Sequence, residues 1–213
     1  NIPRLDYSDS GCPSLLLEPA SSNEALYSFE LENWSGNSEV TVDVLDEIHI
    51  GLHSLRRLNF TAVNQNKYTF YSSATYPIGS VMSFQALVRG TAGETISYGI
   101  QNGSSTHTFT GGWDLITQKG VVSSGNTSIQ FNTYGAKTAR VFDVAYVQVE
   151  PNDSQTSYIP TSGAAVTRAA DTGVETGNIS QYIDSTKLTF EVDFSILEGD
   201  TTRGVITLSE GNI

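Results

Sequence analysis

This chain of 213 residues is predicted to be an all-β protein, a jelly-roll β-sandwich, and three features point that way. Apolar residues recur at every second position in run after run. Glycine and asparagine turn signals separate those runs at short intervals. Charged residues make up only 16% of the chain, whereas a helical protein needs many Lys, Glu and Arg on its outer faces.

In chain order, residues 1–26 read as an extended strap. Pro3, Pro13 and Pro19 oppose helix, and Leu15–Leu17 is too short for one and is expected to pack on a sheet. Residues 27–150 alternate as a sandwich does. Val40, Val42 and Val44 share one face; Ile48, Ile50 and Leu52 suggest the next strand, and 55–63 another. Residues 81–88 are apolar on both faces, as a central strand covered on each side would be. Ile96, Tyr98 and Ile100 point together, and 128–131 and 139–149 complete the set. Turn signals at Pro77–Gly79, Arg89–Gly90, Ala92–Gly93, Asn102–Gly103, Gly111–Gly112 and Gly125–Asn126 argue for a sandwich rather than βαβ units. Residues 151–180 form a second strap rich in Ser, Thr, Gly and Ala. In 181–213 a new alternation begins, with Leu188, Phe190, Val192, Phe194 and Ile196 on one side, the expected start of a second sandwich.

The charge balance excludes some functions. Eleven basic against 23 acidic residues give −12, a surface that repels phosphate backbones and anionic lipid. No stretch approaches the roughly 18 apolar residues of a membrane span. Cys12 is the single cysteine, so an internal disulfide is impossible, and it reads as a small buried side chain. The chain begins at Asn1 without methionine and ends at Ile213 as a strand pattern develops, as a fragment or processed product would.

Several phrases carry a resemblance. They are Pro3-Arg-Leu-Asp-Tyr7, the Leu15-Leu-Leu-Glu-Pro19 segment and above all Thr156-Ser-Tyr-Ile-Pro-Thr-Ser-Gly-Ala-Ala-Val-Thr-Arg-Ala-Ala-Asp171. Asn23–Ser28, Asn33-Trp34, Tyr68–Phe70, Gly112-Trp113, Phe142-Asp-Val-Ala145 and Gln148-Val-Glu150 follow in matching order. Together they resemble tail-fibre and head-fibre proteins of bacteriophages and related prophage proteins, in which such straps flank a jelly roll similar to carbohydrate-binding modules. The resemblance implies a virion or extracellular location, other virion proteins as partners, host-surface glycan as a ligand and a homo-oligomer, a trimer by family expectation. It also implies a concanavalin- or laminin-G-like sandwich downstream, and a structural calcium held partly by Asp143. The alternative partner of Asp143 is a neighbour such as Arg140.

Sugar binding on a β-sandwich needs flat aromatic faces for the apolar side of a pyranose ring, with amides and carboxylates for its hydroxyls. The candidates are Trp34, in a polar loop, with Tyr71, Tyr76, Tyr98 and Tyr134. Trp113, after two glycines, is expected in the core. No catalytic residue is assigned. Asp43, Asp46 and Glu47, or Glu191 and Asp193, could in principle make a glycosidase pair, but Glu191 and Asp193 share the face opposite the apolar stripe, which reads as a solvated exterior. His49 and His53 have zinc-pair spacing only on a helix, and the local pattern is strand. Nucleic acid and membrane insertion are not expected, nor a cofactor beyond that calcium. Two alternatives stand beside the adhesin reading: a purely structural spacer, and an ancillary module of a polysaccharide-degrading enzyme.

Overall fold

The computed structural model describes residues 4–6, 14–16, 18–36, 40–49, 53–61, 69–74, 76–100, 105–122, 127–133 and 139–171. At 4–6, 14–16, 49, 69–74 and 127 it describes the backbone alone. The expected second sandwich at 181–213, Cys12 and Tyr134 lie outside the described residues.

The strands are β1 (Arg4–Asp6), β2 (Ser14–Leu16), β3 (Ser21–Asn23), β4 (Ser35–Gly36), β5 (Val40–His49), β6 (His53–Phe60) and β7 (Thr69–Ala74). They continue as β8 (Val81–Gly90), β9 (Thr95–Ile100), β10 (Ser105–Thr108), β11 (Asp114–Val121), β12 (Thr127–Asn132), β13 (Arg140–Glu150) and β14 (Val166–Arg168). One sheet runs β11-β8-β13-β6-β5, the other β10-β9-β12-β7-β4. Numbered one to eight, strands β6 to β13 give sheet orders 1-8-3-6 and 2-7-4-5, which is the jelly roll. Strands β5 and β4 extend one edge of each sheet.

The alternation places the core where the sequence puts it. Leu58 and Phe60 of β6, Met82, Phe84, Ala86 and Val88 of β8, and Phe142, Val144, Val147 and Val149 of β13 are buried. They face Ile96, Tyr98 and Ile100 of β9 and Ile129 and Phe131 of β12. Phe142 is the hub: its ring lies 5.5 Å from Phe131, 5.6 Å from Phe109 and 5.7 Å from Phe60. A bulge between Val144 and Tyr146 shifts the phase of β13, so Val144 and Val147, three apart, both reach this core.

Gly90 permits one close approach, since a Cβ there would sit 2.6 Å from the Phe109 ring. Gly99 has φ +127°, and a Cβ would collide with the Gln118 side chain, whose Oε1 accepts a bond from the Ile100 N–H at 2.7 Å. Expectation and structure differ at β5. It continues through Ile48 to His49 rather than ending near Val44, and a register shift between Val44 and Ile48 absorbs the extra residues. Residues 105–108 and 114–121, not anticipated as strands, form β10 and β11.

The two straps fold back on their own sandwich. β3 pairs with β14, with Val166 opposite Asn23 and Arg168 opposite Ser21. The buried Asn23 amide joins three segments. Its Oδ1 accepts from the N–H of Ala25 (3.1 Å) and of Val149 (3.0 Å), and its Nδ2 donates to the carbonyls of Ile159 (2.7 Å) and Val147 (3.4 Å). Residues 152–159 lie over the outward side of β8 and β13. There Gln85 and Gln148 donate to the Thr156 carbonyl at 2.8 and 3.1 Å, and Gln148 Oε1 accepts from the Ile159 N–H at 2.6 Å. Buried Glu150 accepts from Ser21 Oγ, Thr156 Oγ1 and Thr156 N at 2.5–2.8 Å. The second covered face expected for β8 is real, and the strap is what covers it. Glu18 accepts from Ser157 N–H at 2.6 Å and pairs with Arg168 at 2.8 Å. Tyr158 stacks on Tyr146 at 4.2 Å and shares a hydrogen bond with Ser28. Thr161 donates to the Ala25 carbonyl.

Candidate functional site

The strap leaves uncovered the half of the outer face nearer the start of β13. Register places Asp43 of β5, Arg57 of β6, Asp143 of β13 and Arg89 of β8 side by side in one row. Trp113 precedes Asp114, which is opposite Val88, so it continues the row beyond Arg89. Half-buried, it lies with the Arg89 guanidinium 4.7 Å from its ring centroid. The sequence-based expectation of a core tryptophan is corrected accordingly. Charge alternates along the row because side chains of neighbouring strands at one register stand about 5 Å apart, where like charges repel.

Asp143 is the centre. Its Oδ1 accepts from Arg57 Nε at 2.7 Å, and its Oδ2 accepts from Arg57 Nη2 at 3.1 Å, Arg89 Nη2 at 2.8 Å and Arg89 Nε at 3.2 Å. Glu47 forks on Arg89 at 2.9 and 3.1 Å. Asn59 donates to Asp43 at 2.9 Å. Burial pushes the Asp143 carboxyl up, but the bonds and charges of Arg57 and Arg89 outweigh it and hold the group below its ordinary value. The Arg89 fork likewise holds Glu47 low, and Arg57 and Arg89 are both raised by their carboxylate partners.

Beside this row is an open depression of about 270 Å³ lined by Arg57, Arg89, Gly90, Thr91, Val141, Phe142 and Asp143. Val141, 46% exposed, is registered opposite Asn59 and forms part of its lining.

The predicted sugar-binding aromatics are placed otherwise. Trp34, expected in an exposed polar loop, is 6% exposed. Its ring stacks 6.3 Å from Phe131 and its Nε1 donates to the Tyr27 carbonyl at 2.9 Å. The reason is local: a 3₁₀ turn at Leu31–Asn33 carries Trp34 inward beside Leu31. Tyr76 and Tyr98 are core residues too; Tyr98 spans the sheets, donating to the Thr117 carbonyl at 2.8 Å. Tyr71 is registered opposite Gln130, away from the Asp143 row on the other sheet. Tyr134 lies outside the described residues. Of the described side chains, those of Trp34, Tyr76 and Tyr98 lie in the core and not beside Asp143.

The surroundings of Asp143 do not fit a calcium ion. Both carboxylate oxygens are already engaged by two guanidinium groups, whereas calcium needs six to eight free oxygens and no adjacent cation. Arg140, the partner weighed from the sequence, instead donates to the Thr95 and Ala139 carbonyls. Among the described residues no group of three or more His, Cys, Asp or Glu is placed to hold a metal ion. Sequence reasoning missed Arg57 and Arg89. The available signal was that Asp43, Arg57, Arg89 and Asp143 each fall at an outward position of an alternating strand.

No protein-family model and no curated protein matches this sequence. Similar solved structures include the CBM22-1 xylan-binding domain from Paenibacillus barcinonensis Xyn10C, at 14% identity and TM-score 0.45, covering 60% of this chain and 90% of that one. The tandem CBM22-1–CBM22-2 domain of the same protein gives 15% identity and TM-score 0.46, over 63% and 47%. The enzymatically active domain of tailspike protein 4 from bacteriophage CBA120 gives 14% identity and TM-score 0.42, over 56% and 19%. The jelly-roll assignment rests on the strand order itself.

Proposed function

We propose that this chain is a non-catalytic module of a bacteriophage tail or head fibre that binds host-surface glycan. The observation that carries the reading is the clasp. Glu18 and the string Thr156–Asp171, by which the sequence resembles phage fibre proteins, are spent on holding a closed jelly roll. That accounts for a recognisable phrase without chemistry in it.

The test is a glycan array on the folded protein, in calcium and in chelator. Selective binding that survives chelation is expected. Absence of binding from a folded sample favours the second reading, a structural spacer, which the inward placement of Trp34, Tyr76 and Tyr98 supports. Partnership with other virion proteins and a trimeric state belong to the same proposal; sedimentation equilibrium of the folded protein measures the latter.

A further inference from the structure

We propose that the Val141 depression is a subsite for a single uncharged sugar residue. This rests on the glycan-binding reading and adds the place and the class of sugar. A pyranose has an apolar C–H face and a rim of hydroxyls. The depression offers the complement: an exposed valine side chain on a sheet face, with hydrogen-bonding groups of Arg57, Arg89, Thr91 and Asp143 in the same lining.

The donors are present and already oriented. Arg57 spends Nε and Nη2 on Asp143, and its Nη1 has no acceptor among the described residues. Of the five N–H groups of a guanidinium, three therefore remain for a ligand, on a side chain 41% exposed and clamped at its other edge. Clamping removes rotamer entropy that an unrestrained arginine would lose on binding.

Charge decides the class of sugar. Two guanidinium groups, Arg57 and Arg89, face three carboxylates, Asp43, Glu47 and Asp143, so the row carries one net negative charge. The whole chain carries −12. A uronic or sialic acid would meet the net negative field of the row and of the whole chain; a neutral sugar does not. Size decides the extent. At about 270 Å³ the depression falls just below the roughly 300–1,000 Å³ of sites for drug-sized ligands, which suits one ring rather than a chain. One such small, open site binds weakly, and useful adhesion comes from several copies acting together.

The experiment is an amide-shift NMR titration with xylo-, cello- and manno-oligosaccharides and with oligogalacturonides as the acidic counterpart. Val141→Arg fills the depression from its own lining. Val121→Arg makes the same change at an exposed valine far along β11, 62% exposed. Thermal melts confirm that both variants fold. Expected are shifts at 57–59, 89–91 and 141–143 with a neutral probe, at least a tenfold loss of affinity in Val141→Arg and less than a twofold change in Val121→Arg. Binding of array glycans that Val141→Arg leaves intact overturns the subsite while the glycan-binding reading stands. A preference for the acidic probe overturns the class of sugar. No binding of any probe or array glycan by the folded protein overturns that reading and the subsite together.

Discussion

Replacing Asn23 by alanine will loosen the strap, and the cost follows from its bonds. The side chain is fully buried and makes three bonds of 3.1 Å or shorter plus one at 3.4 Å. Three good bonds at about 1 kcal/mol each set a floor near 3 kcal/mol. The truncation also strands the N–H groups of Ala25 and Val149 and the Ile159 carbonyl in a dry environment, at about 1–3 kcal/mol for each that finds no water. We expect a loss of about 3–6 kcal/mol, a large part of the roughly 5–15 kcal/mol that stabilises a typical domain. The assay is urea unfolding at equilibrium, where the midpoint should fall, with Tm lower by about 6 °C or more. Asn59→Ala, which removes an exposed bond to Asp43, is the control and should stay within about 0.5 kcal/mol. Trypsin should cut after Arg168 faster in Asn23→Ala than in the parent. A folded Asn23→Ala protein destabilised by less than about 1 kcal/mol, with Arg168 still protected, would refute the claim that this amide joins the straps.

Three further perturbations follow from the same geometry. Gly99→Ala forces a side chain into φ +127° and onto Gln118, so a loss of at least about 2 kcal/mol is expected in the same unfolding assay. Asp143 is held below its ordinary value, so its contribution is complete above about pH 4 and fades as pH falls through the folded value. Asp143→Asn should be destabilised at pH 7 but should show a flatter acid limb below pH 4. His53, stacked 3.6 Å from Phe29, is pushed below 6.5 by burial and by Arg56, so the folded state resists its protonation. Stability should decline as pH falls from 7 towards 5, and His53→Phe, which keeps the stack, should remove that part of the slope.

The sandwich was legible because its signal is periodic: Leu58, Phe84, Tyr98, Phe131 and Phe142 fall at alternating positions that a pleated strand must send inward. What escaped was set by tertiary partners. Trp34 sits among polar neighbours in sequence, yet a single 3₁₀ turn delivers it to Phe131. Trp113 follows two glycines as an inward residue might, yet it falls one register beyond Arg89 and outward. Strand β11 was missed since Gln118 and Gly120 take inward positions while Leu115 and Val121 face outward, which blurs its alternation. The row across Asp43, Arg57, Asp143 and Arg89 draws on four strands up to 100 positions apart, and only their pairing order makes it a site.

The pairing of the straps bears on how such a unit would carry a load. The Glu18 N–H donates to the Asp171 carboxylate at 3.0 Å and the Asp171 N–H to the Glu18 carbonyl at 2.9 Å, so the chain enters and leaves the clasp at one point. A unit tethered at these two residues hangs beside a filament as a pendant and adds almost nothing to its length. Tension drawn through them meets the β3–β14 bonds one after another, as in a zipper, instead of shearing them together. A load applied at these two residues would thus reach the β3–β14 bonds before it reached the jelly roll behind them.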